Sequence, residues 1–281
     1  MDVLPDGCNC RLYNDDHNSI FKIIAMCWNI FKRKEEPMTA AEHRFMTFGR
    51  NKYGGGNDLN GCVNDSNNFA LTFPNIIPGI ITHKYLDFDA TVDRYLGKTS
   101  EAISLLSPGA TVVLLLDSCF SGTATRQRGN VRNRFIGPEI VPTGPVRHVA
   151  RTELMKWIVI SAASEDQTAS DALIGNQYVG AFSYYAYKCL KPGMTWREWY
   201  KAIRLYLPNK NFDQIPTIEG PDFLQDRIIG QGQTLIIHNS SHGSWAVDKS
   251  GDEADGRDEG LYFDKFLSDD KINEVLQKII L

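Results

Sequence analysis

The sequence predicts an α/β protein built around a mainly parallel sheet. Three apolar runs, at 111–116, 157–160 and 234–238, show no alternation of polar and apolar side chains. Such runs are typical of strands that are buried on both faces of a parallel sheet. Segments with the helical spacing of apolar residues lie among them, notably 91–106 and 195–205. Strands mixed with helices in this way favour the α/β class.

Length and composition narrow the class of protein. The 281 residues, 42% hydrophobic and 23% charged, are ordinary for a globular protein with one large core or two smaller ones. A net charge of -4 does not favour a nucleic-acid partner. Six cysteines without a regular framework indicate reduced thiols in the cytosol.

We divide the chain into an N-terminal extension, residues 1–40, and one main domain, residues 41–281. Within the extension, 1–18 is polar and rich in turn residues, and 20–31 is apolar but too short to span a bilayer. Three interpretations of 20–31 remain open: a helix docked on the body, which we favour, an interfacial membrane helix, or a partner-binding helix.

The first part of the domain leads to its central strand. The pattern predicts, in order, a strand at 45–48, a helix within 59–73, a strand at 80–86 and a helix at 91–106. The strand at 111–116 follows, and it ends in the small polar residues Asp117, Ser118 and Cys119. The carboxyl ends of parallel strands are where α/β folds place their chemistry, so Cys119 is a candidate nucleophile. The alternative is that Cys119 is a small buried apolar residue.

The second part contains a long basic loop and a second strand end with catalytic side chains. Residues 123–151 lack apolar periodicity and carry six arginines, so we expect an exposed, mobile loop. The pattern continues with a strand at 157–160, helices at 180–190 and 195–205, and an extended segment at 214–220. The strand at 234–238 ends in a polar run that contains His242, a candidate general base or else a surface histidine. An acidic loop, 248–259, and a helix at 269–280 close the chain.

Several of these blocks together resemble the metacaspases, a family of caspase-like cysteine peptidases. The resemblance covers roughly 44–281, and it rests on Asp117-Ser-Cys-Phe-Ser-Gly122, Ser240-Ser-His-Gly243, Gly49-x-Asn-x-Tyr53, Leu59-x-Gly-Cys-Val-Asn-Asp65, Ser161-Ala-Ala-x-x-x-Gln-Thr-Ala169, Gly180-Ala-Phe182, Gln214-x-Pro216-Thr217, Gly251 to Glu259 and Ser268-Asp-Asp270. In the family the His block precedes the Cys block, whereas here it comes last. Because parallel strands are joined by crossovers, a moved block can keep its place in the sheet.

The resemblance implies a three-layer α/β/α caspase-like sandwich with rearranged strand order. It implies that Cys119 attacks the scissile carbonyl, that His242 handles the proton, and that backbone N–H groups of Cys119 and Gly243 bind the oxyanion. It also implies an acidic pocket at Asp65 and Asp117, with Cys62 and Ser240 beside them. Two carboxylates there would pair with an arginine or lysine at P1, the residue before the cleaved bond, and would repel an aspartate.

Calcium activation in many metacaspases uses four acidic positions, and three match here: Asp258, Asp269 and Asp270. Arg126 occupies the fourth position, and a cation there disfavours tight Ca²⁺ binding. The alternative for Asp269 and Asp270 is helix N-capping. No cofactor is required for the predicted reaction.

We therefore predict a cytosolic, monomeric cysteine endopeptidase whose partners are protein or peptide substrates with a basic P1 residue. An arginine-rich loop next to the nucleophile further predicts self-cleavage after Arg126, Arg128, Arg132 or Arg134. Two alternatives stay open. One is a catalytically silent caspase-like binding module, since Phe120 replaces the family's usual histidine. The other, disfavoured by the acidic pocket, is an Asp-specific peptidase.

Overall fold

The computed structural model describes residues 38–39, 42–119, 132–136, 155–164, 167–207, 212, 214–247 and 257–280. Contacts divide the chain into the units Met1–Met38 and Thr39–Leu281. The fold and the site belong to the second unit. Residues 1–37 of the predicted extension, which include its apolar segment, lie outside the described residues. Phe120, Arg126 and Arg128 lie outside them as well.

The elements are numbered in chain order. The strands of the described residues are β1 (His43–Gly49), β2 (Ile81–Leu86), β3 (Thr111–Asp117), β4 (Arg132–Asn133), β5 (Ile158–Ser161), β6 (Ser170–Ile174), β7 (Gln177–Gly180), β8 (Thr217–Glu219), β9 (Thr234–Ser240), β10 (His242–Val247), β11 (Arg257–Tyr262) and β12 (Phe266–Ser268). The helices are α1 (Cys62–Ile76), α2 (Val92–Ser104), α3 (Ala181–Cys189), α4 (Trp196–Tyr206), α5 (Asp222–Gln225) and α6 (Asp269–Leu276).

The central sheet has six strands in the order β2-β1-β9-β3-β5-β8. Its pairings are parallel except that β8 runs antiparallel to β5. Every residue of β1, β3 and β9 is buried, which explains why these strands lack a polar face. The predicted α/β class with a mainly parallel sheet is therefore confirmed.

Helices cover both faces of this sheet. On β1, Phe45 packs its ring against Phe73 of α1, with centroids 4.8 Å apart. Three residues further along β1, Phe48 packs against Tyr95 of α2, at 4.8 Å. Since side chains of a strand alternate between faces, these contacts place α1 and α2 on opposite sides of the sheet. The arrangement is compatible with an α/β sandwich. None of the described helices combines the length and apolar character that a membrane span requires.

Two small antiparallel sheets were not predicted. β4, β6 and β7 form one of them, and β10, β11 and β12 form the other. Two predictions were therefore wrong in part. The acidic loop expected over 248–259 already belongs to β11 from Arg257 onward, and the loop expected over 123–151 contains β4.

Candidate active site

The topology brings the two candidate catalytic residues to the same edge of the sheet. β9 lies between β1 and β3, and its last residue, Ser240, pairs with Asp117 at the end of β3. Cys119 follows β3 by two residues, and His242 follows β9 by two residues. Both side chains therefore stand at neighbouring carboxyl ends of parallel strands, where sequence reasoning placed them.

The Cys119 thiol is fully buried and contacts the backbone of Ala169. The Sγ atom accepts a hydrogen bond from the Ala169 N–H at 2.8 Å and lies 3.3 Å from the Ala169 carbonyl oxygen. Burial raises the pKa of Cys119 to about 12, so the thiol is protonated at neutral pH in this state.

His242 is oriented by the backbone of the loop after β1. Its Nε2 lies 2.7 Å from the carbonyl oxygen of Asn57, and because a carbonyl only accepts, Nε2 carries the hydrogen. Its Nδ1 has no hydrogen-bond partner among the described residues. Burial lowers the pKa of His242 to about 4, which leaves a neutral imidazole whose Nδ1 is able to accept a proton.

Tyr53 is a positioning residue that sequence reasoning missed. Its hydroxyl accepts a hydrogen bond from the backbone N–H of His242 at 3.0 Å and donates one to the Tyr262 carbonyl at 3.1 Å. Its ring also lies edge-on to the imidazole, with centroids 4.6 Å apart. The Gly49-x-Asn-x-Tyr53 block contained this residue, but nothing in the spacing indicated that it would reach β10.

A segment of the chain itself, Arg132–Ile136, passes through the site. The carbonyl oxygen of Arg134 accepts hydrogen bonds from the N–H of Cys119 at 3.1 Å and of Gly243 at 2.8 Å. These are the two groups that the resemblance named as oxyanion donors. A Cβ atom at Gly243 would lie 1.5 Å from the Cys119 carbonyl oxygen, so only glycine allows the backbone of residue 243 to come this close to Cys119.

The Arg134 side chain fills the predicted acidic pocket. Its guanidinium contacts the carboxylates of Asp65 at 2.7 Å, Asp117 at 3.1 Å and Asp171 at 3.2 Å. Its Nη1 also donates to the Ser240 hydroxyl at 2.7 Å, and that hydroxyl donates to Asp65 at 2.8 Å. The expectation that the arginine-rich loop is exposed throughout is therefore wrong for Arg134, which is fully buried.

Carboxyl groups outnumber basic groups in this pocket. Three buried carboxylates surround one guanidinium. Burial, together with the charge of Asp117, raises the pKa of Asp65 to about 7, although Arg134 opposes this rise. Burial likewise raises the pKa of Asp117. The guanidinium offsets part of the free-energy cost of burying these carboxylates beside one another.

The pocket walls include predicted and unpredicted residues. Cys62, one of the predicted ones, is buried and close enough to Ser240 for a side-chain hydrogen bond. Asp171 was missed, because β6 has no strong sequence pattern. The N–H of Gly180, on β7, donates to Asp65 at 2.9 Å, and a Cβ atom there would lie 2.0 Å from the Asp117 carboxylate. The Gly180-Ala-Phe182 block was the sequence feature that could have indicated this part of the pocket.

The three predicted calcium ligands lie elsewhere, on β11 and at the start of α6. Asp269 and Asp270 occupy the first turn of α6, and Ser268 holds the N-cap position without a side-chain cap. Burial, then Asp270 and Asp258, raises the pKa of Asp269 to about 6. Carboxylate oxygens suit Ca²⁺. However, within the described ranges no three acidic, histidine or cysteine side chains have the geometry to hold a metal. Asp258, Asp269 and Asp270 therefore do not form a three-ligand site within the described part of the chain, and the proposed reaction has no step that involves Ca²⁺.

Comparisons with known proteins do not assign the chain to a family. No model of a known protein family matches it, and no curated protein matches it significantly.

Proposed function

We propose that this protein is a caspase-like cysteine endopeptidase that cleaves peptide bonds after arginine. One observation carries the proposal: the carbonyl of Arg134 accepts two backbone N–H bonds beside Cys119 while its side chain fills an acidic pocket. A bound P1 residue needs both contacts at once. The sheet order supports a caspase-like sandwich in which β9, the strand that leads to His242, keeps a central place although it comes late in the chain.

The proposed reaction uses Cys119, His242 and the two backbone N–H groups at the site. Nδ1 of His242 takes the Cys119 proton as Sγ attacks the P1 carbonyl carbon, and it then gives the proton to the leaving amine. The N–H groups of Cys119 and Gly243 would stabilise the tetrahedral oxyanion, since they already contact the carbonyl oxygen at 3.1 and 2.8 Å. Sγ must first leave Ala169, and ionisation must overcome the burial that raises the thiol pKa.

The pocket supports arginine rather than aspartate at P1. Asp65 faces one end of the guanidinium at 2.7 Å and Asp117 faces the other at 3.1 Å, which suits the planar, forked donor set of arginine. Lysine offers a single point charge and would satisfy fewer acceptors. An aspartate in this pocket would add a fourth buried carboxylate, which argues against the Asp-specific alternative.

The silent-module alternative has one supporting observation: the thiol is buried and the site is filled by the chain itself. However, a peptidase that is held inactive would also have its site filled, so this observation does not distinguish the two functions. The neutral imidazole with an available Nδ1 favours the enzyme, because a binding module has no use for it.

Fluorogenic peptides that end in Asn-Arg or Asn-Asp before the reporter test the proposal. They are added to the wild type and to Arg134→Ala, which empties the pocket but keeps Cys119 and His242. The Arg peptide should be turned over and the Asp peptide should not. Cys119→Ala should lose activity by about 10³-fold or more, whereas the matched buried-thiol variant Cys62→Ala should keep at least part of it. Failure of both wild type and Arg134→Ala on the Arg peptide would contradict the peptidase proposal.

A further inference from the structure

The segment Arg132–Ile136 lies in the site as a substrate would. On its N-terminal side, Arg132 and Asn133 pair antiparallel with Asp171 and Ser170 of β6. At its centre, the Arg134 N–H donates to the Ala169 carbonyl at 3.2 Å. On its C-terminal side, the Ile136 N–H donates to the Gly243 carbonyl at 2.9 Å. The backbone is thus held on both sides of the bond between Arg134 and Phe135.

We propose that the protein cuts itself between Arg134 and Phe135 and becomes a two-chain enzyme whose nucleophile and base lie on different chains. This inference rests on the proposed peptidase function. Among the four arginines predicted as cleavage sites, Arg134 has its carbonyl against both oxyanion donors. Arg132, two residues earlier, is exposed and pairs with β6 instead.

The chemistry requires only water in addition to the chain. Sγ of Cys119 bonds to the Arg134 carbonyl carbon, its proton passes to His242, and the bond between Arg134 and Phe135 breaks as that proton moves to the Phe135 nitrogen. Water then hydrolyses the thioester and returns a proton to the thiol. The products are a new carboxylate at Arg134 and a new amino terminus at Phe135.

The order of the blocks decides what each chain carries. The chain that ends at Arg134 contains β1 to β4 and Cys119, and the chain that begins at Phe135 contains β5 to β12 and His242. Cleavage therefore separates the two catalytic residues covalently. It does so because the His block follows the cleaved bond instead of preceding the Cys strand.

The central sheet should hold the two chains together after cleavage. β9 belongs to the second chain, yet it pairs along its whole length with β1 on one side and β3 on the other, both from the first chain. Dissociation would expose the fully buried β9 and break two rows of ladder hydrogen bonds. The two chains should therefore separate only when the protein unfolds.

The active site itself is shared between the chains. Asp65 and Asp117 come from the first chain, and Asp171 and Ser240 come from the second. The oxyanion donors divide in the same way, with Cys119 on the first chain and Gly243 on the second. Neither chain alone contains a complete pocket, oxyanion hole or catalytic pair.

The first experiment locates the cut in the full-length protein by intact mass and N-terminal sequencing. Wild type should give two masses, with a new terminus at Phe135. Cys119→Ala and Arg134→Ala should stay intact, Arg134→Lys should be cut at least several-fold more slowly, and Arg132→Ala should be cut at the same bond. Wild type that stays one chain while it turns over the Arg peptide would overturn the inference and leave the peptidase proposal standing.

The second experiment tests whether the chains work only together. The cut protein should elute as one species on gel filtration, and an Arg-containing electrophilic peptide should label only the chain that ends at Arg134. Separation of the chains in urea should abolish turnover, and joint removal of urea should restore it. Dissociation in native buffer with activity retained by one chain would overturn the shared-site inference.

Discussion

The molecule holds two groups of three aspartates, and they differ in what the fold does with them. In the pocket, Asp65, Asp117 and Asp171 converge on one guanidinium and are fully or almost fully buried. Asp258 on β11 and Asp269 and Asp270 at the start of α6 are only partly buried, and the charges of the other two help burial to raise the pKa of Asp269. The comparison teaches that acidic residues define a cation site only when the backbone aims their oxygens at one point.

The sharpest test of this difference neutralises one aspartate in each group. Asp65→Asn should lower kcat/KM for Arg peptides by roughly 30-fold to several thousand-fold, since losing one partner of a buried charge pair costs about 2–5 kcal/mol. Asp258→Asn removes the same charge from the second group and should leave the preference for Arg over Asp peptides intact. Equal losses in the two variants would show that general negative charge, not the pocket, selects the substrate.

A smaller loss should follow from Asp171→Asn. This carboxylate contacts Arg134 at 3.2 Å, compared with 2.7 Å for Asp65, and its other oxygen accepts the Asn60 N–H at 2.8 Å. Losing a longer charged hydrogen bond costs about 1–2 kcal/mol, or about 5- to 30-fold in kcat/KM for Arg peptides. If Asp171→Asn proved as damaging as Asp65→Asn, the difference in contact distance between these two carboxylates would not set their contributions.

The pocket also shows where sequence reasoning reaches its limit. The long apolar runs predicted β3, β5 and β9, because a strand that is buried on both faces is a continuous apolar run whatever it packs against. The short β6–β7 and β10–β12 sheets mix polar and apolar residues, so Asp171 could not be placed. The burial of Arg134 was equally hidden, because its counter-ion Asp65 lies 69 residues away in sequence. A lone arginine in a basic loop gives no sign that distant carboxylates will offset its desolvation.

Calcium binding tests the second group of aspartates. Asp258, Asp269 and Asp270 supply the right oxygen donors but no preformed geometry, so we expect weak binding, with a Kd of about 1 mM. At about 10 mM Ca²⁺ such binding would add about 1.4 kcal/mol to the free energy of unfolding. Thermal unfolding of wild type should then shift upward with Ca²⁺, and that of Asp269→Asn should not. Calorimetry without any heat of binding at millimolar Ca²⁺ would remove the calcium prediction and leave the pocket untouched.

The smallest expected effect is the pH dependence of the second group without calcium. The folded pKa of Asp269, about 6, exceeds its ordinary value of 3.8, so the folded state binds this proton more tightly than the unfolded state does. The stabilising contribution is therefore present at low pH and lost as pH rises through about 6. Between pH 7 and pH 5 wild type should gain about 1 kcal/mol from this group, after allowance for solvent screening of a partly exposed side chain. Urea unfolding of Asp269→Asn should show a profile that is flatter by that amount. Identical profiles for wild type and Asp269→Asn would mean that burial and the neighbouring carboxylates do not raise the pKa of Asp269 in the folded state.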